Sequence, residues 1–294
     1  MCIAITGTTG FLGKRVKNAF ITQDINILEM NRDVLNALDT FTLEAGVIQR
    51  FIHVAGKAHV LPKNDLEVRS FFEVNFELVK SICLFLERSK NIPKQFVFIS
   101  TVSVYGVEVG HMIDESFPLN PTTPYAKSKR MAEEYLVQWG NIHDVKILIL
   151  RLPLIAGKNP PGNLGKMITA ISKRRYMSLG GGKARRSMVL AQDVGNLITQ
   201  VQEADGVYNL TDNYHPSFNE LEQTIASYFK VSKPKSIPLL IAKALGKLGD
   251  IFPFFPLNTN MIIKMTSSLS FDDSKAKKEL FWKPKSSVKY LFTS

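Results

Sequence analysis

Ile3–Thr6 is a short apolar run that leads straight into Gly7, Gly10 and Gly13, and an amphipathic stretch from Lys14 to Ile21 follows. No other feature of the chain constrains its fold as strongly. Of three closely spaced glycines between a strand and a helix, one makes the tight turn, one lets backbone N–H groups approach a ligand, and one lets the helix pack on the strand. The N-terminus of the helix adds partial positive charge. The loop therefore reads as a pyrophosphate cradle, with Thr9, Phe11 and Leu12 carried on it. The spacing is a variant of the common G-x-G-x-x-G form, and the competing reading is a purely structural turn.

The chain then alternates. Residues 25–30, 51–54, 96–99 and 145–150 read as strands, and the continuous apolar runs suit a sheet buried on both faces. Residues 67–89 have helical periodicity through Phe71, Phe72, Val74, Leu78, Val79, Ile82 and Leu86. Residues 126–139 form a second such stretch, with Pro124 at its start. Residues 33–44 read as helix or loop, and 190–203 as a helix that returns to the first lobe. The alternation predicts an α/β chain with a doubly wound parallel sheet (Rossmann-like) and right-handed crossovers. After Pro153 glycines and prolines cluster and strands become sparse, which predicts a smaller, mostly helical C-terminal substrate lobe. The expected division is 1–155 for the dinucleotide-binding domain, with 188–210 returning to it, and 156–187 with 211–294 for the lobe. A length of 294 residues suffices for this arrangement. The apolar segment 237–257 reads as core of the small lobe, with a surface-seeking amphipathic element as the alternative.

A net charge of +11 raises three partners: nucleic acid, an anionic membrane surface, or anionic small molecules. The clusters Lys173-Arg174-Arg175 and Lys275-Ala276-Lys277-Lys278 have no interleaved aromatics and no nucleic-acid module around them, so nucleic acid is not expected. No run is long and apolar enough for a membrane span, and the N-terminus shows no basic leader. Cys2 and Cys83 give neither a disulfide framework nor a metal-ligand spacing, which suits a cytoplasmic protein without metal. His53, His59, His111, His143 and His215 suggest no triad, and none is assigned a catalytic role.

Tyr125 and Lys129 stand four apart at the start of a predicted helix, hence on one face. A lysine ammonium nearby lowers a tyrosine pKa from its ordinary value near 10 and makes the phenol a usable base. Such a pair is often only an exposed i,i+4 contact. Here, however, the strand 96–99 ends in Ser100–Gly106, which brings the hydroxyls of Thr101 and Ser103 to the carboxyl end of the sheet, where doubly wound folds bind ligands. A cradle and an activated tyrosine together point to redox chemistry at a hydroxyl-bearing carbon. The second strand leaves the ribose contact open. Glu29 suits an unphosphorylated ribose if the strand ends early. If it runs through Met30, its tip is Asn31-Arg32, which inclines the choice to NADP over NAD.

With these residues in place, the chain resembles the extended short-chain dehydrogenase/reductase family, in its branch of NAD-dependent nucleotide-sugar epimerases, dehydratases and reductases. The resemblance covers most of the chain. It rests on Thr6-Gly7-x-x-Gly10-Phe11-Leu12-Gly13, His53-Val54-Ala55-Gly56, Val74-Asn75, Ser100–Gly106, Tyr125–Lys129, Arg151-Leu152-Pro153 and Phe281-Trp282-Lys283-Pro284. Residues 55–60, 161–163 and 185–187 also resemble a bacterial subgroup from polysaccharide gene clusters. The resemblance implies Tyr125 as acid/base. Lys129 would lower the tyrosine pKa and hold the nicotinamide ribose, and Thr101 would hydrogen-bond the sugar oxygen, with Ser103 as runner-up. It implies Ala55, Gly56 and Lys57 as the cofactor-facing turn, Asn75 as the asparagine that steadies the active-site strand, and Leu152 and the residues after Pro153 as neighbours of the nicotinamide.

On the substrate side the resemblance implies Arg186 as diphosphate ligand, with Arg185 as alternate, and Asn163 as a substrate-loop residue or a turn residue. Asp193 reads as a helix cap. The family's 4,6-dehydratases carry Asp-Glu directly after the catalytic threonine, where this chain has Val102-Ser103. Its GDP-fucose-type members place a cysteine nearby, and none follows Cys83. What remains is a UDP-hexose-type nucleotide-diphosphate-sugar 4-epimerase, or an NADPH-dependent 4-keto-sugar reductase in surface-polysaccharide precursor synthesis. A silent NAD(P)-binding scaffold is the non-enzymatic alternative. The family resemblance also implies a homodimer through the helices at 67–89 and 126–139.

Overall fold

The apolar runs are buried by stacking them side by side and covering both faces. In this computed structural model, which describes residues 2–44, 46–58, 60, 62–252 and 258–293, six strands among the described residues form one sheet in which all neighbours are parallel. Across the sheet the order is Ile27–Met30, Cys2–Thr6, Ile48–His53, Gln95–Thr101, Lys146–Leu152 and Gly206–Asn209. Successive side chains point to opposite faces. Ile3, Ile5, Val97, Leu148 and Leu150 enter one core with Val16, Phe20, Val194 and Leu197, which come from helices Phe11–Ile21 and Ala191–Gln200. Ala4, Phe51, Phe96, Phe98, Ile147 and Ile149 enter the other, against helices Leu78–Arg88 and Pro124–His143. The sheet is α/β and Rossmann-like, as the alternation requires.

The first strand has the second on one side and the third on the other. The strand order therefore reverses between Thr6 and His53, and a crevice opens there at the carboxyl ends of the strands. Both the glycine loop and the turn at Ala55-Gly56 border that crevice.

Several expected boundaries move. The first helix begins at Phe11, directly on the glycine loop, rather than at Lys14. The stretch 67–89 is not one helix. Asp65–Phe72 and Leu78–Arg88 are separated by a π turn at Glu73–Glu77, which buries Asn75. The sixth strand, Gly206–Asn209, has no apolar run to announce it. Outside the main sheet, three small parallel pairs among the described residues stitch the chain together: Leu154–Ala156 with Met188–Leu190, Ser178–Leu179 with Ser236–Ile237, and Gly110–Ile113 with Leu269–Phe271. The C-terminal stretch, grouped with the lobe on sequence, sends Ala276, Leu280 and Trp282 into the first core.

The segment 237–257 corrects the expectation of lobe core. Helix Leu239–Ile251 buries only Ala242, Gly246 and Gly249, while Leu240, Ile241, Leu248 and Ile251 face solvent. Residues 253–257 lie outside the described residues, as does His59. Among the described residues no helix is long and apolar enough to cross a membrane.

Candidate active site

The cradle is built from backbone alone. Gly7 has φ +71°, and a Cβ there would stand 2.6 Å from the Ala55 nitrogen; one on Gly13 would stand 1.9 Å from the Gly7 carbonyl oxygen. A side chain at either position would force the glycine loop away from the neighbouring turn or from the helix. Gly10 is the N-cap of helix Phe11–Ile21 and supplies no capping side chain, and its own N–H bonds the Gly7 carbonyl at 2.9 Å. An uncapped helix N-terminus with glycine backbone before it suits a pyrophosphate. Across the crevice Thr6 Oγ1 accepts from the Val54 and Ala55 N–H groups at 3.2 Å each, and it pairs with His53 Nδ1 at 3.0 Å. Burial pushes the His53 pKa down to about 3, helped by the nearby Lys129 charge, so the imidazole is neutral. His53 is thus a hydrogen-bond partner of Thr6 inside the sheet.

Asn75 joins the turn at Gly56-Lys57 to helix Pro124–His143. Its Oδ1 accepts the Lys57 N–H at 2.8 Å, while its Nδ2 donates to the Lys57 carbonyl and to Ser128 Oγ at 3.0 Å each. Ser128 Oγ in turn donates to the Tyr125 carbonyl at 2.9 Å. The π turn is what aims Asn75 inward at this point, and such turns are frequent at functional sites. The Lys57 ammonium lies over the Phe71 ring at 5.3 Å and donates to Ser70 Oγ.

Tyr125 and Lys129 lie on the first turns of helix Pro124–His143, which Thr123 caps by accepting from the Ala126 N–H. Thr101 ends its strand, caps the short turn Val102–Tyr105 through the Ser103 N–H, and donates to Ser103 Oγ at 3.2 Å. Burial pushes the Tyr125 pKa up to about 12, and a hydrogen bond with Thr101 works against that rise. Lys129 is buried, donates from Nζ to the Ile99 carbonyl at 2.8 Å and stands 4.5 Å from the centre of the Phe98 ring. Burial pulls the Lys129 pKa down to about 7, with Glu133 opposing. The Lys129 charge is not among the causes acting on Tyr125, and desolvation is the largest for both groups. A Cβ on Gly56 would lie 3.1 Å from Asn75 Oδ1 and 3.2 Å from Lys129 Nζ, so the turn, the asparagine and the lysine converge on one spot.

Beneath the site runs a buried polar network that the sequence reading did not assign. Arg151 and Glu133 form an ion pair at 2.7 Å, with both side chains 4% exposed. Glu133 also accepts from Ser100 Oγ; Arg151 Nη1 donates to the Tyr105 hydroxyl at 3.1 Å, and that hydroxyl donates to Asn209 Oδ1 at 2.9 Å. A charged residue inside the apolar strand Lys146–Leu152, and an acid one turn beyond Lys129, were the available signals. Leu152 is buried and pairs with Thr101 in the sheet.

The substrate-side expectations are more dispersed. Arg186 donates to the backbone carbonyls of Glu108 and Lys264, and burial lowers its pKa. Arg185 donates to the His215 carbonyl at 2.9 Å and lies 3.7 Å from Glu220. Asn163 is exposed in the first turn of helix Gly162–Ser172. No contact between these three and Tyr125 is found among the described residues. Asp193 is not the cap of its helix; its Oδ2 accepts the Lys285 N–H at 2.7 Å and so anchors the C-terminal segment. At the ribose end the second strand runs through Met30. Asn31 spends its side chain capping helix Arg32–Asn36 and Arg32 is exposed, while Glu29 pairs with Lys17 and lies within reach of Thr8. Among the described residues no cluster of acidic, histidine or cysteine side chains could hold a metal.

Comparison with known proteins adds to this geometry. The model of the NAD dependent epimerase/dehydratase family matches residues 3–211. A UDP-glucose 4-epimerase from Vibrio cholerae is 25% identical over 96% of this chain and 90% of its own length. An N-acetyl-alpha-D-glucosaminyl-diphospho-ditrans,octacis-undecaprenol 4-epimerase from Escherichia coli O157:H7 is 27% identical over 84% of this chain and 77% of its own. Among solved structures, RMD from Pseudomonas aeruginosa complexed with NADPH superposes with a TM-score of 0.75 at 18% identity, covering 99% of this chain and 98% of that one.

Proposed function

The chain belongs to the NAD dependent epimerase/dehydratase family, and we propose that it is a nucleotide-diphosphate-sugar 4-epimerase acting on a UDP-hexose. The observation that carries this reading is the convergence of Gly56, Asn75 and Lys129 at the mouth of the strand-order switch, with Asn75 linked through Ser128 to the Tyr125 carbonyl and Tyr125 hydrogen-bonded to Thr101. A nicotinamide bound there, from NAD or NADP, takes and returns a hydride and carries a positive charge when oxidised. Tyr125 removes the O4 proton, and Thr101 positions the sugar oxygen. Loss of hydride from C4 leaves a 4-keto sugar; its return to the opposite face inverts the centre, and Tyr125 gives the proton back. Lys129, beside Gly56, holds the nicotinamide ribose. Gly7, Thr9, Gly10, Phe11, Leu12 and Gly13 hold the pyrophosphate, and Ala55, Gly56 and Lys57 form the turn over it. The exposed Arg32 beside the capping Asn31 inclines the ribose end to NADP. Arg186, with Arg185 as alternate, serves the sugar diphosphate, and Asn163 lines its loop.

A single reduction by NADPH uses the same residues, and Arg32 is the feature that favours it. Val102-Ser103 in place of an acidic pair speaks against dehydration. Exposed Leu66, Leu84, Met131, Val137 and Ile142 on the two helical stretches support a homodimer through them. The compartment we propose is the cytoplasm. Incubation with UDP-glucose or UDP-galactose and each cofactor tests the assignment. Interconversion of sugars without net change in cofactor is expected. Stoichiometric loss of reduced cofactor with a 4-keto sugar would move the assignment to reductase, and neither outcome would refute both.

A further inference from the structure

Helix Leu239–Ile251 carries a surface that the sugar chemistry does not use. Leu240 is 82% and Ile251 69% exposed, and Ile241, Leu248 and Phe252 are exposed with them. With Ala244, these residues fall at helical spacing within an arc of roughly 120°. The opposite face is small. Ala242, Gly246 and Gly249 are buried, and a Cβ on Gly246 would lie 3.0 Å from Ile262 Cγ1 of helix Thr259–Thr266. The helix is thus seated through its backbone, with Leu240, Ile241, Leu248 and Ile251 turned outward. Met261 and Ile263 of the second helix are also exposed. The residues joining the two, Pro253-Phe254-Phe255-Pro256-Leu257, are all apolar in sequence.

Charge separates the possible occupants. Lys243 and Lys247, both exposed, border the apolar arc on one side. From 230 to 268 the chain holds Lys230, Lys233, Lys235, Lys243, Lys247 and Lys264 against a single acid, Asp250. That acid is already engaged, accepting the Thr259 N–H at 3.0 Å. A second copy of this chain on the same face would bring lysines against lysines. An anion-rich surface with an apolar interior is complementary to both parts.

We propose that helix Leu239–Ile251 docks the protein on an anionic lipid bilayer. Leu240, Ile241, Leu248, Ile251 and Phe252 enter the boundary between headgroups and acyl chains, and Lys243 and Lys247 meet lipid phosphates. The docking is independent of the reaction proposed above. Flotation of the full chain tests it, with vesicles of phosphatidylethanolamine and phosphatidylglycerol set beside vesicles of phosphatidylcholine alone. The chain is expected to float with the anionic vesicles. Lys243→Gln with Lys247→Gln is expected to weaken that binding about fivefold per lysine, and Leu240→Ser with Ile251→Ser to abolish it. Circular dichroism and cofactor binding would report that these surface variants remain folded. Failure of the parent to float, or flotation of both variants like the parent, would overturn the proposal. So would a parent oligomer that the Leu240→Ser, Ile251→Ser variant dissociates in the absence of any vesicle binding, which would assign the face to self-association.

Discussion

At the scale of single residues, burial is the largest cause acting on the protons of Tyr125 and Lys129, of which Lys129 is buried and Tyr125 partly buried. Tyr125→Phe removes the proposed acid/base while leaving the ring packed on Phe71, so turnover is expected to fall by roughly 10²–10⁴-fold with cofactor affinity retained; full activity in that variant would contradict the role. Lys129 carries a second, thermodynamic signature. Its pKa in the fold is about 7 against an ordinary 10.5. The unfolded chain therefore binds the proton more tightly, and stability rises with pH between those values. Lys129→Met lacks that rise. The melting temperature of the parent minus that of the variant should grow from about pH 7 to about pH 9, and a flat difference would mean that the lysine is not desolvated. The residue types were legible in the sequence because spacing on a helix is a local property. Their proton affinities were not, because desolvation depends on Phe98, Ile99 and the turn at Gly56, which are distant in the chain.

At the scale of elements, the π turn Glu73–Glu77 is the piece that no periodicity announces. The apolar positions of 67–89 continue through it, so the stretch reads as one helix, yet the extra residue turns Asn75 into the crevice. Asn75→Ala would leave Ser128 and both backbone groups of Lys57 without their partner. A loss of about 1–3 kcal/mol of stability is expected, with weaker cofactor binding, read by denaturant unfolding and cofactor titration. If cofactor affinity did not change, the turn at Lys57 would not be part of the site. The Glu133–Arg151 pair belongs to the same scale, since it ties helix Pro124–His143 to strand Lys146–Leu152. Glu133→Gln leaves a buried guanidinium without its counter-charge and is expected to cost about 3–5 kcal/mol, measured by urea unfolding. A change within error would show the pair to be dispensable. The strands were readable because a doubly covered sheet demands continuous apolar runs, whereas Gly206–Asn209 is short and half polar and escaped notice.

At the scale of the whole molecule, the fold was the most legible part, because alternating strands and helices with a glycine turn at the start admit few topologies. The lobe was the least legible. Its helices are held by small residues and short strand pairs, and helix Leu239–Ile251, expected inside, faces outward. The arginines expected at a sugar diphosphate are engaged with the backbone carbonyls of Glu108, His215 and Lys264. The reaction proposed for the crevice is removal of hydride from a sugar carbon and its return to the opposite face, beside Tyr125. The most direct test is incubation of the protein and its cofactor with a UDP-hexose deuterated at C4. The account expects both C4 epimers to form with the deuterium still on C4. Absence of the second epimer, or loss of the label to solvent, would contradict it.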